Sequence, residues 1–155
     1  MLCQQEESRH RDHEVVVKQF LDAIFSNQYP EQNKQALIAQ CLSEHIRCNG
    51  FPEFNPQNRT EFSGFLNYLH DVFKQLTYCV EPLLFDSASV FTRFTIQGTH
   101  NEEFMGLAAS GGTIRFTAVA FFKIHNNRIH EIVMYNKSVT LITTRGHVYQ
   151  LKKTD

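Results

Sequence analysis

Between Val16 and Phe25 the apolar residues fall into two interleaved rows of spacing four, Val16–Phe20–Ile24 and Val17–Leu21–Phe25. Two neighbouring rows make a stripe wide enough for burial on more than one side, so the pattern predicts a helix from about Ser8 to Asn27. Tyr29-Pro30 ends it, because a residue before proline avoids the helical region. Leu37, Ile38, Cys41 and Leu42 mark a second, shorter helix from about Gln32 to Leu42. A short strand is expected at His45 to Cys48, closed by Asn49-Gly50. Pro52, Pro56 and two asparagines make Phe51 to Arg59 a loop, and Asn58 or Thr60 can cap the next helix. That third helix is expected from Glu61 to Leu76, with Phe62, Phe65, Leu66, Leu69, Val72, Phe73 and Leu76 at spacings of three and four.

Beyond Thr77 the period falls to two, the spacing of strands. One strand is expected over Tyr78 to Phe85, with Pro82 marking an edge or bulge. Asp86-Ser87 then turns the chain into Val90 to Gln97. There Phe91, Arg93, Thr95 and Gln97 share one face, and Val90, Thr92, Phe94 and Ile96 the other. Gly98 to Gly112 reads as a long connection with one helical turn near Glu102 to Leu107. Thr113 to Ile124 is a long strand, Asn126-Asn127 a tight hairpin, and Ile129 to Ser138 the return. Helices first and antiparallel strands after predict an α+β domain with its helices on one face of one sheet.

The 155 residues suit one domain over the whole chain, long enough to bury a core without disulfide or metal. The polar first twelve residues are read as a flexible N-terminal segment. A formal net charge of -1 argues against a nucleic-acid surface, and Lys152-Lys153 reads as a solvated tail. The four cysteines, Cys3, Cys41, Cys48 and Cys79, form no CxxC pair, which sets zinc and redox motifs aside. No signal-peptide run and no stretch of ~18 apolar residues occurs, so no membrane span is expected and the cytosol is the default location. Fourteen Phe and five Tyr with no Trp predict either a very aromatic core or a pocket lined with rings.

Two segments carry a family resemblance. GTHNEEFMGL, Gly98 to Leu107, and SGGTIRFTAVAFFKIHNNRIHEI, Ser110 to Ile132, resemble the SnoaL-like polyketide cyclases. Gly98-Thr99-His100, Glu103-Phe104, Gly106, Arg128-Ile129 and Glu131 match the motif positions, and the order of elements matches across nearly the whole chain. The resemblance implies the cone fold of nuclear transport factor 2 and ketosteroid isomerase, a curved antiparallel sheet wrapped around the N-terminal helices. It also implies an apolar pocket for a small apolar molecule and a homodimer through the sheet. Such cyclases are thought to use a carboxylate near the end of the return strand. Here that position falls on Asn136 or Lys137, and neither is an acid, which counts against cyclase chemistry.

The candidate catalytic residues are therefore His100, Asn136 and Arg93: a titratable imidazole between Thr99 and acidic Glu102-Glu103, a holder of an oxyanion or water, and a clamp for an anionic or carbonyl group. Arg115, Thr117 and His130 are further polar residues on or beside strands. Candidate pocket residues are Phe20, Phe65, Tyr68, Phe91, Phe116 and Met134, subject to strand register. Glu44 and His45 are the only residues near the first strand able to serve as an isomerase-type base. His10/His13 and His125/His130 are paired, but the sequence places no third ligand, so no metal and no cofactor is expected. Two function classes stay open: an enzyme on a polyketide-like or isoprenoid-like substrate, and a non-catalytic ligand-binding or dimerisation domain that has lost the acid. The direction of Arg93, Arg115 and Asn136 discriminates them, an all-apolar pocket favouring binding. Strand Thr113 to Ile124 is apolar on both faces, with Val119 and Phe121 opposite Phe116, Ala120 and Phe122, which asks for cover on both sides.

Overall fold

The computed structural model describes residues 2–25, 31–81, 84–85 and 88–151. The elements run α1 Leu2–Phe25, α2 Glu31–Cys41, β1 Leu42–Asn49, α3 Arg59–Val72, β2 Phe73–Val80, β3 Leu84–Phe85, β4 Ser89–His100, β5 Thr113–His125, β6 Arg128–Ile142 and β7 Val148–Leu151. The sheet is ordered β1-β6-β5-β4-β2, with β3 on β4 and β7 on β6. It is curved and open, and the helices cover its concave face. One expectation is corrected here: the sheet is mixed, because β1 runs parallel to β6. The expected breaks at Tyr29-Pro30, Pro82 and Asp86-Ser87 and the tail Lys152-Lys153 lie outside the described residues.

The α1 stripe is buried as its spacing requires, with Val17, Phe20, Leu21, Ile24 and Phe25 in the core, and the helix begins at Leu2, before the expected Ser8. Asn58 caps α3, its side-chain oxygen accepting from the Glu61 amide at 2.8 Å. Phe62, Phe65, Leu66, Leu69 and Val72 make one buried face, each worth ~1.5–3 kcal/mol over exposure.

The helix ends at Val72, four residues before the sequence pattern suggests. Phe73 already pairs with His100 of β4. Phe73 and Leu76 are both buried, three residues apart, which a regular strand cannot arrange because its faces alternate. A register shift between Lys74 and Thr77 resolves this, with Gln75 at φ 54. The bulge resets the alternation and imitates a helical spacing.

Two further bulges shape β6. Thr117 pairs with Ser138 and Val119 with Tyr135, so Ala118 alone faces Asn136 and Lys137. Asn136, at φ 51, takes the left-handed conformation that Asn tolerates. Nearer the hairpin, Lys123 pairs with Glu131 and Ile124 with Ile129, leaving His130 as the extra residue. Each bulge inverts the alternation, so Ile129, Ile132, Val139 and Leu141 can all be buried along one strand. Asn126 and Asn127, at φ 51 and 60, form the expected tight hairpin. The connection after β4 contains no helical turn. Phe104 and Leu107 instead exchange backbone hydrogen bonds of 2.9 and 3.0 Å around Met105 and Gly106, both at positive φ.

Candidate functional site: an apolar cavity in the cone

Inside the cone lies a narrow cavity of about 40 Å³. Phe20, Leu21, Ile24 and Phe25 reach it from α1, and Phe62, Phe65, Leu66 and Leu69 from α3. Phe73, Phe94, Ile96, Phe116, Ala120, Phe122, Ile132 and Met134 line it from the sheet, and Phe51, Pro52 and Phe104 from the connections. Every lining side chain is apolar. The rings form a connected path from surface to core. Phe54, 42% exposed, stands edge-on to Phe65 with centroids 5.4 Å apart. Phe65 then meets Phe62 at 6.5 Å, Phe62 meets Phe20 at 5.5 Å, and Phe20 meets Phe122 at 6.1 Å. Tilted and edge-to-face contacts at such distances add ~0.5–1.5 kcal/mol each beyond burial.

Two connections are tied together beside this path. The Glu53 carboxylate accepts from the Met105 amide at 2.8 Å, joining the segment after β1 to the turn after β4. The Tyr68 hydroxyl donates to the Glu103 carbonyl at 3.1 Å. Desolvation first, then the nearby Glu53 and Glu103 carboxylates, push the Tyr68 phenol up to about 12.

The sequence-derived candidates separate into distinct places. Phe20, Phe65, Phe116 and Met134 line the cavity. Phe91 does not: it sits on the outer sheet face against Phe121, centroids 4.9 Å apart, while Phe94 and Ile96 occupy the inner positions of its strand. Tyr68 is half-buried at the rim and lines no part of the cavity. Arg93 is on the outer face, its guanidinium 3.9 Å from the Glu81 carboxylate with both side chains more than half exposed, a pair worth ~0–1 kcal/mol. Asn136 is exposed in its bulge, and Arg115 is exposed with its Nε donating to Gln97 Oε1 at 3.1 Å. Glu44 and His45 are exposed as well. The carboxylate position of the resembled cyclases, Asn136 or Lys137, thus falls in an exposed bulge of β6.

His100 is different. It is 1% exposed at the end of β4, and its Nδ1 lies 2.9 Å from Ser110 Oγ. Its Nε2 is buried without a hydrogen-bond partner. Leaving such a group unsatisfied costs ~1–3 kcal/mol. His100 does not line the cavity, but its register partner Phe73 does, and so does Phe104 four residues on. Among the described residues no group of three or more His, Cys, Asp or Glu could hold a metal ion, and no helix is long and apolar enough to cross a membrane.

Sequence reasoning missed Phe94, Ile96, Phe104 and Phe122 as cavity walls. The alternation along β4 and β5 separated the faces correctly but carried no sign of which face was inside. It also missed the bond from the Tyr78 hydroxyl to the Asp22 carboxylate, which links α1 to β2 across 56 positions of chain.

A three-helix cone over a curved mixed sheet with one apolar cavity defines the class of nuclear-transport-factor-2-like folds. Within it the chain belongs to the SnoaL-like polyketide cyclase family, whose model matches residues 15–143. A SnoaL-like polyketide cyclase from Agrobacterium tumefaciens is 15% identical with a TM-score of 0.65, covering 79% of this chain and 89% of that one. TsrD from Streptomyces laurentii is 14% identical with a TM-score of 0.63, covering 81% and 88%. An NTF2-like protein of unknown function from Exiguobacterium is 11% identical with a TM-score of 0.62, covering 77% and 95%. At these identities the likeness shows the fold. No curated protein matches the sequence significantly.

Proposed function

We propose that this chain is a non-catalytic holder of a small, neutral, apolar molecule, with His100 as a polar anchor beside the cavity. The observation that carries this reading is the wall: among the described residues it has no carboxylate, cation or hydroxyl. Acid–base catalysis needs a titratable group within ~2.6–3.2 Å of the reacting proton. A cavity of about 40 Å³ is also far below the ~300–1,000 Å³ of ordinary ligand pockets. Binding therefore opens the cone, and the Glu53–Met105 tie is where its two connections part. One observation favours a second reading. The orphaned Nε2 of His100 could instead serve an enzyme as acid or base, held by Ser110.

Native mass spectrometry with denaturing extraction tests the proposal. A retained neutral molecule, bound more weakly in His100→Ala and unchanged chemically on incubation, is the expected result. An ionised ligand, or turnover abolished in His100→Ala, overturns it in favour of an enzyme.

A homodimer through the outer sheet face belongs to the same proposal. Phe91, Val119, Phe121 and Val133 are only half-buried there and Tyr135 is 50% exposed, which supports a second copy as their cover. Light scattering showing a monomer at micromolar concentration removes it. The free thiols of Cys41, Cys48 and Cys79 support a reducing, cytosolic location.

A further inference from the structure

At the hairpin end of the sheet, Glu131 of β6 is in direct register with Arg47 of β1 on one side and Lys123 of β5 on the other. Direct register partners share a face, so the three side chains stand in one row across three strands. Among the described residues none of the three is in an ion pair within 4.0 Å. Three histidines join the row. His45 is two residues before Arg47, and His125 is two beyond Lys123. His130, the extra residue of the bulge, is re-aimed so that its ring meets that of His125 edge-on, centroids 5.5 Å apart. All six line one open groove of about 410 Å³. Arg128 is the register partner of His125.

The charge balance of the groove is opposite to that of the chain, whose formal net charge is -1. Arg47 and Lys123 against Glu131 leave a surplus of one positive charge when the histidines are neutral, and of four when all three are protonated. Two permanent cations repel a metal ion, so the histidines are poorly placed as metal ligands. They are well placed as extra donors to an anion. The Arg guanidinium offers a planar fork and the Lys ammonium a point charge, and both suit tetrahedral phosphate oxygens. Glu131 opposes such a ligand and sets the affinity low at neutral pH.

We infer that this groove, framed by Arg47, Lys123, His45, His125 and His130, is an anion-binding site for a phosphate-bearing small molecule. It is independent of the apolar cavity and does not rest on the proposed function.

The test is an NMR titration of the full chain with inorganic pyrophosphate at constant ionic strength, following the histidine ring protons at pH 6.5 and pH 8. Saturable shifts of His45, His125 and His130 are expected. Arg47→Ala with Lys123→Ala abolishes saturation, and circular dichroism checks that this exposed pair leaves the fold intact. Glu131→Gln tightens binding about two- to fivefold, a gain that no unfolding can imitate. Shifts matched by sodium chloride of equal ionic strength, or an affinity indifferent to Glu131→Gln, overturn the site.

Discussion

Replacing Phe20 by alanine tests the inside of the cone directly. Phe20 is 1% exposed, its ring lies between Phe62 and Phe122, and it lines the cavity. Removing a buried ring costs about 3–5 kcal/mol, the lost transfer energy plus the void left behind. For a domain of this size each kcal/mol moves Tm by about 2–4 °C, so a fall of about 6–20 °C is expected. The void should grow from about 40 Å³ toward the ~150 Å³ in which an apolar protein cavity holds benzene. Benzene at ten times its Kd should then restore about 1.4 kcal/mol, or roughly 3–6 °C. The assay is thermal unfolding by circular dichroism, with and without benzene. Phe91→Ala, measured below the concentration at which the protein dimerises, is the control: its half-exposed ring meets Phe121 on the outer face, and about 1 kcal/mol is expected with no benzene effect. Equal losses for Phe20→Ala and Phe91→Ala would refute the assignment of faces. A native-like Phe20→Ala that ignores benzene would refute the cavity.

Gly50 and Gly106 both have positive φ, 76° and 80°, but only at Gly50 would a Cβ meet backbone, 2.3 Å from the Met134 carbonyl oxygen. Gly106→Ala should cost about 1 kcal/mol from conformation alone, and Gly50→Ala clearly more, read as a larger drop in urea midpoint at unchanged m-value. Tyr68 gives a pH prediction. Its folded-state phenol is raised to about 12, by desolvation first and then by Glu53 and Glu103. The stability it contributes is complete below the unfolded value near ~10 and is lost as pH rises through about 12. Absorbance at 295 nm should show one tyrosine ionising near pH 12 that is missing in Tyr68→Phe. Unchanged late ionisation in that variant would assign it elsewhere.

The failures of the sequence pattern are instructive. Phe73 and Leu76 fit a helix by spacing, yet they belong to a bulged strand that pairs with β4. Asn136 reads as the remnant of an acid when aligned by order. In three dimensions it is the residue that lets β6 change faces, and its side chain meets solvent. Arg93 and Phe91 share a face with Thr95 and Gln97 as the alternation says, but that face is the outer one.

The sequence by itself determined the α+β class, the α1 and α3 stripes, an α3 cap at Asn58 or Thr60, the Asn126-Asn127 hairpin and the partition of β4 and β5 into two faces. These are local quantities, readable from spacing and from residues whose backbone preferences are intrinsic. Only the tertiary structure decided which sheet face is concave, that β1 joins β6 in parallel, and where the bulges at Gln75, His130 and Asn136 invert the alternation. It alone brought His45, His125 and His130 into one groove and left Nε2 of His100 unpaired. Each of these depends on pairing between residues far apart in the chain, and a bulge of one residue exchanges inside for outside without changing the composition of the strand.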